Sequence, residues 1–94
     1  METYAILRRN GWRTAGDLEE AAARSTAEGE RMPGDIAWIR SYVLAETAGN
    51  VGTVCIYQAS SEEAIRTHAE RADLPVDEII KVSGTVIVRP DPES

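Results

Sequence analysis

The sequence predicts an α+β fold of the ferredoxin-like type, βαββαβ, with a four-stranded antiparallel sheet and two helices on one face. Three observations carry this. Two Ala/Glu-rich stretches each open on a hydroxyl residue with a carboxylate three positions later. Four short runs rich in β-branched and aromatic residues alternate with them. Turn residues separate the segments in the order strand, helix, strand, strand, helix, strand.

Taken in order, residues 3–9, "TYAILRR", form a short apolar-rich run, and Asn10-Gly11 predicts a turn after it. Thr14 is a good helix N-cap, with Asp17 in the first turn, and residues 15–31 read as a helix that Pro33-Gly34 ends. Leu18, Ala21, Ala22 and Ser25 give that helix a narrow stripe of small residues. Residues 35–47 are β-branched and aromatic and predict a long strand; "AGN" turns it, and residues 51–59 return as its hairpin partner. Ser60 and Glu63 have the spacing of a capping box for a second helix running to about Asp73, and Pro75 blocks its continuation. "DEIIKV" is the fourth strand, and "TVIVR" after Ser83-Gly84 reads as a short fifth strand.

At 94 residues the chain is one small domain, expected over 1–89, with 90–94 as a disordered C-terminal tail. A chain this short buries a modest fraction of its surface. Ten Lys plus Arg against sixteen Asp plus Glu give a net charge of −6. With no cluster of basic groups, nucleic acid and anionic membrane surfaces are not expected as partners. The single cysteine, Cys55, forms no internal disulfide. "METYAILRRNG" shows no signal-peptide pattern, no apolar run approaches a membrane span, and a cytoplasmic protein is expected.

Strand alternation divides the sheet into two sets of side chains. Ala5, Leu7, Ala37, Ile39, Val43, Val54, Ile56, Ile80 and Val82 are almost all aliphatic and are expected under the helices. The other set is Tyr4, Ile6, Arg8, Trp38, Arg40, Tyr42, Leu44, Thr53, Cys55, Tyr57, Ile79 and Lys81, which is left without a roof. Leaving such a face in water would expose a large apolar patch, so a homodimer is expected in which two sheets pair, as in a dimeric α/β barrel. Tyr4, Arg8, Arg40, Tyr42, Cys55 and Tyr57 on that face are the candidate ligand-binding residues, suited to an anionic or polar small molecule between the sheets. A partly wet interface with no ligand is the plainer reading of the same residues.

His68, the single histidine, lies beside the apolar stripe of the second helix and is the candidate metal ligand or general base; packing against the sheet is the plainer role. On this face assignment His68 and Cys55 lie on opposite sides of the sheet and share no site. No CxxC, HxxxH or HExxH spacing occurs. A cofactor-independent enzyme of isomerase or monooxygenase type, with its cavity between paired sheets, is the alternative function, by analogy of fold only.

Ser41, Tyr42, Cys55, Ala59, Ser60, Ala64, His68, Ala72, Leu74, Pro75, Asp77, Ile79 and Val82 follow a recurring pattern. It resembles that of a family of small bacterial ferredoxin-like domains of unknown function often labelled nickel-binding. The resemblance implies a dimer and a small ligand or a metal ion, nickel by the label, at or near the dimer interface. It also implies further histidines, one of them in the first strand. This chain has Arg8 and Arg9 there, so His68 is the one metal ligand that carries over. Asp73 replaces a glycine of the pattern.

Overall fold

The computed structural model describes residues 1–92 and shows the βαββαβ order. The elements are β1 (Glu2–Trp12), α1 (Ala15–Glu30), β2 (Ile36–Ala45), β3 (Val51–Ala59), α2 (Glu62–Ala72) and β4 (Glu78–Val82). The sheet runs β2-β3-β1-β4, and every neighbouring pair is antiparallel. Of the tail expected over 90–94, residues 93–94 lie outside the described residues.

Local chemistry explains the helix ends. The Thr14 hydroxyl accepts from the Asp17 backbone N–H at 3.1 Å, so α1 starts where its N-cap predicts. The cap of α2 is Ser61, whose hydroxyl accepts from Ala64 N–H at 3.1 Å. The expected cap Ser60 instead donates its hydroxyl to Asp35 Oδ1 at 2.7 Å, tying the end of β3 to the start of β2. Helix α2 stops at Asp73, which takes the left-handed conformation at φ 54. That conformation suits glycine best, and Asp is among the few other residues that adopt it. Arg24 of α1 donates to the carbonyls of Ala72 at 2.8 Å and Asp73 at 3.4 Å, which joins the two helices at the negative end of α2.

The strands depart from expectation at two bulges. β1 does not turn at Asn10-Gly11 but continues to Trp12. Its register against β3 shifts between Arg8 and Trp12, with Asn10 at φ 50. Gly52 opposite this irregularity has no room for a side chain, because a Cβ would sit 2.7 Å from the Arg8 carbonyl oxygen. In β2, Trp38 pairs with Tyr57 but Arg40 pairs with Ile56, so Ile39 is an extra residue. No strand forms over the expected fifth segment, "TVIVR".

The face assignment made from hydropathy is overturned. The core under the helices contains Tyr4, Ile6, Cys55 and Tyr57 together with Met32, Ile36, Ala59 and Ile65. Arg8, Thr53 and His68 are also buried there. Of the aliphatic set expected inside, Ala5, Leu7, Val54, Ile56, Ile80 and Val82 alternate onto the open side, where Ile80 is 43% exposed and the bulged Ile39 48%. The physical reason is volume. Helix α1 buries the small residues Ala21 and Ser25, and α2 buries Ala69 and Ala72 beside Ile65 and His68, so the space beneath α1 above all needs long side chains from the sheet.

Candidate functional site

The Ile39 bulge splits the predicted binding residues into two groups. Upstream of it, strand alternation keeps Trp38 level with Tyr57 and Tyr4 on the helix side. Downstream, the parity of β2 is reversed. Arg40 and Tyr42 therefore point to the open face, level with Ile56 and Val54. Tyr4, Arg8, Cys55 and Tyr57 are buried under the helices.

The covered group forms a polar network around Ser25, the one hydroxyl in the small-residue stripe of α1. Ser25 Oγ pairs with the Tyr57 hydroxyl at 3.0 Å, and the Ser25 carbonyl lies 2.9 Å from His68 Nε2. A carbonyl oxygen only accepts, so Nε2 carries the hydrogen and Nδ1 presents its lone pair; Nδ1 is buried without a partner. Tyr57 stacks on Trp38 with centroids 6.0 Å apart and meets the His68 ring at 5.7 Å. Burial holds His68 below its ordinary pKa, the Ser25 contact opposing, and burial pushes the Tyr57 phenol up.

Arg8 is 1% exposed. Its Nη1 donates to the Pro75 carbonyl at 2.6 Å, while Nη2 is buried with no partner. Arg8 lines a cavity of about 130 Å³ between α1 and the sheet, together with Trp12, Leu18, Thr53, Tyr57 and Leu74. Cys55 lies on the same wall and donates to Thr53 Oγ1 at 3.3 Å. His68 and Cys55 thus share the helix side of the sheet, not opposite sides. They do not make a metal site: among the described residues no three His, Cys, Asp or Glu side chains converge, and His68 is 1% exposed. The described residues of a single copy therefore do not offer nickel the donor set it takes.

The open group is arranged differently. The segment after β4 folds back beside the sheet, and the Tyr42 hydroxyl donates to the Asp91 carboxylate at 2.8 and 2.9 Å. Arg40 Nε stands 3.7 Å from Asp91 Oδ2. Arg40, Tyr42, Ile39 and Ile56 line one side of a 440 Å³ groove, with Thr85 and Val86 on the other. At the far end of the sheet, Glu46 accepts from Arg9 Nη2 at 2.9 Å and from the Asn10 N–H at 2.6 Å, and the Arg9 bond holds its carboxyl below the usual range.

Ser25 and the Pro75 carbonyl are members of the covered site that residue-type reasoning did not select. A lone hydroxyl inside a stripe of alanines was the available signal for Ser25. No side-chain signal marks a backbone carbonyl.

Comparison with known proteins agrees with this architecture. The solved structure of SCO4226 from Streptomyces coelicolor A3(2) is similar, with a TM-score of 0.67 at 22% identity over 89% of this chain and 99% of that one. That degree of likeness speaks for the fold. No curated protein matches. Residues 4–82 match the family model described as "Nickel responsive protein SCO4226-like". With most of its length matched, the chain belongs to the SCO4226-like family of nickel-responsive proteins.

Proposed function

We propose that this chain is a ligand-responsive binding domain that works as a homodimer, with the open faces of two sheets pairing about a two-fold axis. The observation that carries this is the apolar face without a helix over it: Ile39 and Ile80 are 48% and 43% exposed, and Val86 in the segment after β4 is 91% exposed. Small monomers rarely leave such a patch in water. A second copy is the occupant because the face carries both members of an ion pair. Arg40 and Asp91 are each about half exposed at 3.7 Å and can exchange partners across a two-fold axis. The run 85–89 beside them can add backbone hydrogen bonds to a partner's sheet edge. Nickel, which the family's description carries, would draw its donors from more than one copy, since one copy's described residues do not converge on a site.

Light scattering during size-exclusion chromatography tests this reading. The wild-type chain elutes as a dimer, and Ile39→Glu, which places a charge in the paired face, elutes as a folded monomer. Equilibrium dialysis against Ni²⁺ on the same two samples finds uptake in the dimer alone. A wild-type chain that stays monomeric at high concentration defeats the proposal.

A further inference from the structure

We propose that the segment after β4 is an exchangeable arm that gates pairing: in a single copy it straps the open face through Asp91, and when two copies pair it crosses to Arg40 and Tyr42 of the second copy. This rests on the homodimer proposed above and names what controls its formation.

The strap comes first. The segment leaves β4, one edge of the sheet, and Asp91 ends at β2, the other edge, so residues 83–91 cross the open face from side to side. Its polar hold is at the far end. The Tyr42 hydroxyl donates to the Asp91 carboxylate at 2.8 and 2.9 Å, and Arg40 Nε stands 3.7 Å from it. Among the described residues no backbone hydrogen bond ties 83–92 to a strand. Val86, Ile87 and Val88 are 91%, 74% and 85% exposed, so the closed strap leaves its own apolar run in water. Both side chains of the ion pair are about half exposed, and a pair of that kind holds the closed form over the open one by only a few-fold.

Pairing gives the arm a better place. Two sheets pack about 10 Å apart, a gap that one layer of side chains from each fills. Chains lying across both faces do not fit in it, so the straps must leave before the faces meet. Symmetry supplies the destination. A two-fold axis along the strands reverses the order β2-β3-β1-β4, which lays β4 of one copy over β2 of the other. Such an axis also keeps like strand ends together. Val82 is level with Thr3, Gln58 and Ala37, and Arg40 with Ile56, Ala5 and Ile80, so the root of the arm and its receptor lie near the same end of the sheet. At the rim the arm then has about 10 Å to cross, and the run 83–91 reaches about 30 Å when extended.

The arm is built to move in one piece. Ser83-Gly84 is the hinge, with nothing within 4 Å of a Cβ placed on Gly84. Thr85, Val86, Ile87 and Val88 are all β-branched, and Pro90 and Pro92 bias Arg89 and Asp91 toward extended backbone. Exchange re-forms the Asp91 contacts on an identical receptor, the low-cost route by which copies swap an element. It also brings the exposed Val86–Val88 run to the second copy's β2, an edge strand with unpaired backbone groups.

Two charge reversals in the full chain test this. In Arg40→Glu the arm meets a like charge on its own sheet, and in Asp91→Arg it does so again, so each variant alone lacks the attraction in one copy and between identical copies. Mixed one to one, each arm meets an opposite charge only on the other variant. Native mass spectrometry of the mixture should find the ratio of heterodimer to homodimers at least about threefold above statistical mixing. The double variant Arg40→Glu/Asp91→Arg should pair as the wild type does. Statistical mixing, or a double variant that pairs no better than the single ones, overturns the exchange. Light scattering on the wild-type chain separates the two readings. A wild-type dimer with statistical mixing of the variants defeats the exchange alone, and a wild-type monomer defeats the dimer and the exchange with it.

Discussion

The two faces of this sheet differ in what meets them. On one, Tyr4, Ile6, Arg8, Cys55 and Tyr57 rise from the strands into a roof of Ala21, Ser25, Ala69 and Ala72. On the other, Ala5, Leu7, Val54, Ile56 and Ile80 point away from the helices, and Ile56 lines a groove shared with the chain that follows β4. The greasier of the two faces is the one left open. Burial here goes to side chains whose volume fits beneath the helices and which find at least one polar partner there, as Tyr57 finds Ser25 and Arg8 finds Pro75. The open face keeps its apolar surface free of any helix.

The largest test of this contrast is a matched pair of truncations. Ile6 is fully buried, and Ile80, on the opposite side, is 43% exposed. Ile6→Ala should lower urea-unfolding stability by about 2–5 kcal/mol, the range for a buried Ile→Ala change. Ile80→Ala should lower it by less than about 1 kcal/mol at low protein concentration, with a deficit that grows with concentration where the proposed dimer forms. Equal losses at low concentration would mean that the two faces are not distinct.

A pH titration sharpens the contrast next, because the covered face holds the one histidine. Burial depresses its folded-state pKa below the ordinary 6.5. The unfolded chain therefore takes up a proton that the folded chain does not, as soon as pH falls below that value. Stability should be flat above pH 6.5 and drop on the acid side, by at most about 1.4 kcal/mol per pH unit, until the folded pKa is reached. His68→Gln keeps a donor for the Ser25 carbonyl and should flatten the slope between pH 6.5 and 5. Glu46, held low by Arg9, also loses its stabilising contact in acid, but its ordinary value is 4.5 and its fall lies below that window. A slope that persists in His68→Gln would show that the histidine is not its source.

How legible this was in the sequence depends on the level. Strand, helix and turn chemistry is local. Thr14 and Asp17 placed the start of α1, Pro75 the end of α2, and residues 51–59 gave β3 to the residue. Which face was covered is not local. It depended on the size of residues contributed by other elements, and the run Leu18, Ala21, Ala22, Ser25 was the only hint that long side chains must come from the sheet. The candidate site was half legible for the same reason. Tyr4, Arg8, Cys55 and Tyr57 do lie together, but Arg40 and Tyr42 left the set through one extra residue, Ile39, in β2. No local propensity distinguishes a bulged isoleucine from a regular one. The asparagine at φ 50 in β1 is a comparable case, because Asn10-Gly11 has turn chemistry and the structure uses it for a strand irregularity instead.

The finest test applies one substitution to both faces. Tyr57 and Tyr42 each place a hydroxyl on a side-chain partner, Ser25 Oγ at 3.0 Å for the first and the Asp91 carboxylate at 2.8 Å for the second. Hydrogen-bond length alone would make Tyr42 the more valuable. Environment reverses the order. Tyr57 is 1% exposed, so Tyr57→Phe leaves the buried Ser25 hydroxyl without its partner and should lower the urea midpoint by the equivalent of about 1 kcal/mol or slightly more. Tyr42 is 42% exposed and its partner lies in the solvated chain beyond β4, so water replaces what Tyr42→Phe removes, and the shift should stay within about 0.5 kcal/mol. Two phenylalanine variants with equal midpoints would show that the polar network under the helices does not stabilise the covered face, and volume alone would have to explain why the tyrosines and not the aliphatics lie beneath the roof.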